Sequence, residues 1–149
     1  MSERLANAIK VVCRNIDARC RDSATDAILG EIGRRLGLPA AILLAYRHAL
    51  RERERLGTTG VGEGCAFPHA HPAEAKETIV AVGTVQHGVP DWTPDGTPCR
   101  IIFMRIEPVG VKDLWLMGDA ARALRRPPVR QSVLMAATDL ELLAALRDA

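Results

Sequence analysis

The feature that most limits how this chain can fold is a glycine-rich segment near its middle. Residues 57–64 read Gly-Thr-Thr-Gly-Val-Gly-Glu-Gly, with four glycines in eight positions. Glycine weakens the interior of both helices and strands, because it leaves the backbone unrestricted and offers no side chain to pack. We therefore predict a loop here, with a helical part before it and a strand-forming part after it.

Two helical patterns precede this loop. Ser23 and Asp26 have the spacing of a capping box, and apolar residues then recur at intervals of four up to Gly37, which ends the first predicted helix. The second pattern starts at Ala40 and runs into the charged segment 51–55. Because polar residues occupy every side of that segment, we expect a helix end that enters solvent.

Strand patterns follow the loop. Residues 78–85 and 99–106 are largely apolar and rich in β-branched side chains, which predicts two strands, and residues 65–68 predict a shorter one. A Pro-Asp-Gly turn at 94–96 lies between the two longer strands. We therefore expect these two strands to be antiparallel neighbours.

Helical spacing returns in the C-terminal third. It covers residues 112–124, stops before two prolines and resumes over 129–136, and Thr138 with Glu141 forms a capping box for a last helix. This order of elements predicts an α/β or α+β fold in which helical layers cover the sheet. A length of 149 residues fits one domain, which we expect to span 1–149.

Composition narrows the classes of function. A hydrophobic fraction of 48% with 26% charged residues is typical of a globular protein, and a net charge of +2 is too small to favour a nucleic-acid-binding protein. No run approaches the roughly 20 apolar residues of a membrane span, and the N-terminus is charged, so we expect a cytoplasmic protein without membrane insertion. We expect the cysteines to be unpaired small apolar residues. They are Cys13, Cys20, Cys65 and Cys99.

The glycine loop is the first candidate site. Its G-x-G-x-G spacing fits neither a dinucleotide fingerprint nor a Walker loop. The backbone N–H groups of Gly60, Gly62 and Gly64 could still bind an anion such as phosphate. The alternative is a connector that binds nothing.

Two histidines after the loop are the second candidate. His69 and His71 are two positions apart, so in extended backbone their side chains share one side. With Cys65, and with Cys99 further along the chain, they form a conceivable zinc set. His-x-His alone is unspecific, and the sequence has no second close pair of ligands, so this is the weaker alternative.

A cluster of arginines before the loop is the third candidate. Arg51, Arg53 and Arg55 would by default form a solvated helix surface. Thr58 and Thr59 follow them, and the glycines and a histidine come next. An arginine fork, hydroxyls and N–H groups suit phosphate oxygens, and an imidazole can hold a phosphoryl group covalently. These residues could therefore form a phosphohistidine site.

Residues 53–69, RERLGTTGVGEGCAFPH, closely resemble the signature of the phosphotransferase-system IIA components of the fructose/mannitol class, which includes the nitrogen-regulatory IIA proteins. The pattern of that family is R-E-x-x-G-[ST]-T-G-[IV]-G-x-G-[IVC]-A-[IF]-P-H. Gly88-Val89-Pro90, Trp92, the segment 95–98 and Glu107-Pro108 follow in the same order as in the family. The resemblance thus covers most of the chain.

The resemblance implies a three-layer α/β sandwich, with a mixed sheet covered by helices on both faces. It implies that His69 accepts a phosphoryl group from an HPr-type phosphocarrier protein, that Arg53 lies near this histidine, and that Thr59 lies beside the phosphate. Thr58 is a further candidate for modulating the site. No metal and no organic cofactor are expected, and the next partner would be a IIB domain or a regulatory target protein.

Two positions differ from the family's usual residues. His71 stands where the family commonly has Lys or Arg, so a titratable ring replaces a permanent cation. Asp113 falls where sugar-handling members carry a second active-site histidine, and a carboxylate there would repel a phosphoryl group or hydrogen-bond the His69 ring. We therefore expect a regulatory, nitrogen-type protein rather than a sugar-dedicated one. The alternative is a binding or sensor domain that keeps the fold without phosphotransfer.

Overall fold

A six-stranded mixed sheet forms the middle layer of the fold. The structure is a computed structural model that describes residues 2–149. The strands are β1 (Ile9–Cys13), β2 (Gly60–Gly62), β3 (Cys65–Ala66), β4 (His69–Ala70), β5 (Ile79–Val89) and β6 (Cys99–Ile106). The helices are α1 (Glu3–Ala8), α2 (Arg21–Leu36), α3 (Ala40–Arg55), α4 (Leu114–Leu124), α5 (Pro127–Met135) and α6 (Asp139–Arg147).

Two long antiparallel strands, β5 and β6, form the centre of the sheet. β1 lies parallel to β5, and β2 pairs antiparallel with β3. β3 and the two-residue β4 both lie parallel to β6. The main path through the sheet has the order β1-β5-β6-β3-β2. β5 and β6 are buried over most of their length, as expected for strands that helices cover on both faces.

Successive residues of β6 supply the two halves of the core, because side chains alternate between the faces of a strand. Ile102 belongs to the half that contains Ile28 of α2, together with residues of α3. Phe103 belongs to the half that contains Leu116 of α4 and Leu142 of α6. The expected three-layer α/β sandwich is thus confirmed. None of the helices in residues 2–149 is long and apolar enough to cross a membrane.

Most predicted elements are present. The predicted antiparallel strands are β5 and β6, α3 begins at Ala40, and Thr138 caps α6 by accepting a hydrogen bond from Glu141 N. The predicted start of the first helix is wrong. α2 begins two residues earlier than Ser23, with Cys20 as the N-cap, and Ser23 exchanges hydrogen bonds with that residue. Nothing was predicted for α1 and β1, whose few residues are too short for a periodic pattern.

The glycine segment is only partly a loop, contrary to the prediction. Gly60–Gly62 form β2, which pairs with β3 in a tight hairpin. Glycine is required here because other chain segments approach closely. A Cβ on Gly60 would overlap the carbonyl oxygen of Trp92, and one on Gly62, whose φ is +105°, would lie 2.9 Å from Asp95 Oδ2. The missing side chains allow close packing in this strand rather than flexibility.

Candidate functional site

His69 lies in β4, where the chain leaves the glycine hairpin and joins the central strand β6. Its imidazole is half-buried, and Nδ1 lies 3.0 Å from the carbonyl oxygen of Phe67. A carbonyl can only accept a hydrogen bond, so in the neutral ring Nδ1 carries the proton and Nε2 keeps its lone pair. The ring therefore offers Nε2 as its nucleophilic atom.

The surroundings of His69 favour the neutral imidazole. Burial lowers the pKa of His69 below its ordinary value, and the charges of Arg105, Arg53 and His71 lower it further, whereas the hydrogen bond to Phe67 raises it. The net direction is downward. At neutral pH the ring is therefore mostly unprotonated and able to act as a nucleophile.

The predicted arginine cluster divides among different partners. Arg53, in the last turn of α3, donates from Nη1 to the carbonyl oxygen of Gly57 over 2.9 Å, and its charge acts on the His69 ring. Arg51 pairs with a carboxylate of α2, and Arg55 pairs with one on its own helix. Arg53 is thus held at the start of the glycine loop by Gly57, and the other two arginines pair on the helix surface.

Glu54 organises the loop side of the site, a role that the sequence pattern does not reveal. Its carboxylate accepts hydrogen bonds from Thr59 N and Thr59 Oγ1, both at 2.9 Å, and from Trp92 Nε1 at 2.6 Å. Phe67 N in turn donates to the carbonyl oxygen of Thr59 over 3.0 Å. The Thr59 hydroxyl donates its proton to Glu54, and this network fixes the backbone that orients His69.

Thr58 and the glycines fasten the hairpin to the turn that follows β5. Thr58 Oγ1 donates to the carbonyl oxygen of Trp92 over 2.6 Å and accepts from Gly60 N at 3.0 Å. Gly64 N donates to Thr97 Oγ1, also at 3.0 Å. The amides of Gly60 and Gly64 are therefore engaged within the protein. A direct role of this loop in phosphate binding stays a prediction.

A buried ion pair that the sequence patterns do not predict lies beside His69. Arg105 of β6 is the direct ladder partner of His69 in β4. Its Nη1 lies 3.0 Å from Glu107 Oε1, and the two side chains are only 11% and 1% exposed. One signal was available in the sequence, because Arg105 interrupts an otherwise apolar stretch of β6.

Of the two positions that differ from the family pattern, His71 lies beside this ion pair, and Asp113 acts on Arg105 through its charge. His71 Nε2 lies 3.9 Å from Glu107 Oε1, and His71 Nδ1 lies 3.3 Å from the carbonyl oxygen of Pro108. Asp113 stands at the N-cap position of α4. Burial lowers the pKa of Arg105, and the carboxylates of Glu107 and Asp113 oppose that effect. His71 and Asp113 are thus close enough to influence the surroundings of His69.

The zinc alternative has no support from the arrangement of side chains. Within residues 2–149, no three His, Cys, Asp or Glu side chains gather into a set that could hold a metal ion. Cys65 and Cys99 belong to opposite halves of the core. Burial raises the pKa of their thiols to about 11 and about 12.

Comparison with known proteins gives consistent similarities. The family model of the phosphoenolpyruvate-dependent sugar phosphotransferase system, EIIA 2, matches residues 15–149. The chain is 32% identical over 97 residues to the PTS system fructose-specific EIIABC component of Bacillus subtilis. The aligned region covers 64% of this chain and 15% of that protein. It is 33% identical over 88 residues to a nitrogen regulatory protein of Pseudomonas aeruginosa, and this aligned region covers 58% of this chain and 57% of that protein. The chain spans less than two thirds of the length of these curated relatives.

A solved structure shares the fold. The nitrogen regulatory protein IIA-Ntr from Neisseria meningitidis superposes with a TM-score of 0.82, over 97% of this chain and 99% of that one. The sequence identity in that comparison is 23%, so the likeness concerns the fold.

Proposed function

Since the chain belongs to the EIIA 2 family of the phosphoenolpyruvate-dependent sugar phosphotransferase system, we propose that it carries a phosphoryl group on Nε2 of His69. The observation that supports this most directly is the hydrogen bond from Nδ1 of His69 to the Phe67 carbonyl, which leaves Nε2 as the nucleophile. The donor is a small HPr-type phosphocarrier protein, itself phosphorylated on a histidine.

The transfer exchanges one nitrogen–phosphorus bond for another. The lone pair of His69 Nε2 attacks phosphorus in line, while the bond between phosphorus and the donor nitrogen breaks and its electron pair returns to the donor ring. The Nδ1 proton stays on the His69 ring, where the carbonyl of Phe67 accepts a hydrogen bond from it. That carbonyl stabilises the positive charge that the ring acquires. When the phosphoryl group leaves again, the electron pair returns to Nε2 and a neutral imidazole remains.

Each of the other predicted site residues has a part in this step. Arg53 offsets the negative charge of the phosphoryl group from the end of α3. Thr59 acts through Glu54, by fixing the segment that carries His69. Thr58 fastens the hairpin formed by the three glycines, so that the loop has one shape. His71 and Asp113 adjust the charge around the ion pair of β6.

We further propose a regulatory role of the nitrogen type rather than a sugar-dedicated one. The relatives include nitrogen regulatory proteins and sugar-specific components at similar identity, so this choice depends on the site. The carboxylate of Asp113 supports it, because a negative charge would oppose a phosphoryl group that moves past it towards a IIB domain. The partners would be the HPr-type donor and a regulatory target, with a IIB domain as a slower acceptor. We propose that residues 1–149 act as one IIA domain in the cytoplasm.

The test is phosphorylation of the purified protein with phosphoenolpyruvate, the first enzyme of the system and an HPr-type carrier. We expect the intact mass to rise by one phosphoryl group, through a bond that acid breaks and alkali does not. His69→Ala should abolish the modification. His48→Ala, at an exposed histidine of α3, is the matched control and should be modified like the wild type.

Two results would contradict these proposals in different ways. A modification that persists in His69→Ala would show that another residue is the acceptor, and an unmodified wild-type protein would favour the binding or sensor domain. The regulatory role is tested by adding a sugar-specific IIB domain to the isolated phosphoprotein. Rapid and complete transfer to that domain would show that the role is sugar-dedicated.

A further inference from the structure

The ion pair of Arg105 and Glu107 is an unusual arrangement for a purely structural contact. Both side chains are almost completely buried, and the contact between them is a single hydrogen bond from Nη1 to Oε1. Arg105 Nε and Glu107 Oε2 are buried without a hydrogen-bond partner in the described part of the chain. Burial of two charges is costly unless their remaining donors and acceptors are satisfied. The pair therefore retains binding capacity that the resting protein does not use.

Arg105 is placed to use that capacity at His69. The two residues are ladder partners in adjacent parallel strands, so their side chains stand on the same face of the sheet. The amide of Arg105 donates to the carbonyl oxygen of Pro68 over 3.0 Å, which fixes this register next to the histidine. In the resting state, the positive charge of Arg105 acts against protonation of the ring. The same charge would attract a dianionic group on that ring.

We propose that Arg105 is a second phosphoryl-binding cation of the site, so that a phosphoryl group on His69 contacts Arg105 from the sheet and Arg53 from α3. This inference rests on the proposed function and adds a residue to it. Glu107 is a positioning residue, since its Oε1 accepts from Nη1 and orients the guanidinium. Its carboxylate offsets part of the positive charge, and the second carboxylate near Arg105, that of Asp113, does the same. The phosphoryl group would take the donors that Glu107 leaves unused.

The experiment compares phosphorylation at equilibrium in variants of the full chain. Each variant is incubated with the phosphorylated HPr-type carrier, and the ratio of phosphorylated to unphosphorylated protein is measured by intact mass. Arg105→Met removes the charge and keeps much of the side-chain volume. We expect the ratio to fall about tenfold, as for the loss of one charge-assisted hydrogen bond. Arg100→Met, at an exposed arginine of the same strand, is the matched control and should keep the wild-type ratio.

A second variant covers the case in which Arg105→Met fails to fold. The double variant Arg105→Met with Glu107→Met replaces the buried ion pair by two apolar side chains, a change that is often neutral or stabilising. It should fold, and its ratio should fall about tenfold like that of the single variant. Hydrolysis of the isolated phosphoprotein gives a further readout, and its rate should change in the same variants and not in Arg100→Met.

The outcomes separate this inference from the proposed function. If the wild type is modified at His69 and the folded double variant reaches the same ratio, Arg105 is only a structural residue and the inference is wrong. If the wild type is not modified at all, the proposed function fails first. A reduced ratio in both variants, with an unchanged ratio in Arg100→Met, supports Arg105 as a phosphoryl-binding residue.

Discussion

Replacement of Glu54 by alanine should destabilise the protein far more than the replacement of a half-exposed residue at a helix end normally does. The carboxylate accepts three hydrogen bonds, two from Thr59 and one from Trp92. Thr59 and Trp92 are only 6% and 2% exposed, so water reaches their donors poorly once the carboxylate is gone. Each hydrogen bond to a charged group contributes about 1.5–3 kcal/mol, and buried donors without a partner add a cost.

The expected loss of stability in Glu54→Ala is smaller than the sum of these three hydrogen bonds. The three bonds share one carboxylate and are not additive, and Glu54 itself is partly exposed, so water can replace part of the network. We expect Glu54→Ala to lower the free energy of unfolding by about 3–5 kcal/mol. Glu52→Ala, an exposed residue of the same helix whose partner is a surface arginine, should change it by no more than about 0.5 kcal/mol.

Urea unfolding monitored by tryptophan fluorescence and by circular dichroism measures both variants. The midpoint should fall in Glu54→Ala with an unchanged dependence on denaturant, because the surface exposed on unfolding is the same. A double-mutant cycle with Trp92→Phe should give a coupling energy of about 1 kcal/mol or more. A loss below about 1 kcal/mol for Glu54→Ala would refute this reasoning, since it would mean that the carboxylate does not organise the loop.

Three other measurements test the structure. Gly60→Ala should destabilise the protein by about 2–3 kcal/mol, because the new Cβ would overlap the backbone of Trp92. Gly30→Ala, at a helix position with no atom near the new Cβ, should stabilise the protein by about 0.5–1 kcal/mol, and urea unfolding measures both changes. The pKa of His69 is lowered in the folded state, so the unfolded chain binds more protons as the pH falls below about 6.5, and the stability of the protein declines there. His69→Gln should remove that part of the decline, and an NMR titration that finds an ordinary or raised pKa for His69 would contradict this reasoning. A thiol reagent should modify exposed Cys20, whose pKa its capping hydrogen bonds lower, before the two buried thiols, and equal rates in the folded protein would be the opposite result.

The sequence reveals the elements that have long or chemically marked patterns. β6 and α3 follow from their apolar spacing, and Thr138 follows from its capping box. The resemblance of residues 53–69 to the IIA signature, confirmed by the family model, identifies the family without any knowledge of the fold. It also directs attention to Arg53 and His69, and the charge of Arg53 is among the causes that lower the pKa of His69.

The remaining features depend on contacts between distant parts of the chain. Arg105 and His69 become neighbours only through the parallel pairing of β4 with β6, and a two-residue strand carries no alternation from which that register could be predicted. The hydrogen-bond network at Glu54 also depends on a contact between distant residues, because Trp92 reaches Glu54 from the turn after β5. The prediction of Ser23 as the N-cap is wrong for a different reason. Cys20 is an uncommon cap, so residue preference pointed to the serine within the first turn.

The hydrogen bond from His69 to Phe67 spans only two residues, whereas Arg105 is placed beside His69 by the pairing of two strands. That pairing rests on the amides of Arg105 and Glu107, which donate at 3.0 Å to carbonyls on either side of His69. A brief detachment of β4 would leave the tautomer of the ring intact but would separate the ring from Arg105, the cation that we propose for the phosphoryl group. On that proposal, the lifetime of the phosphoryl group would depend on how often β4 opens, and hydrogen exchange at these two amides would measure that opening.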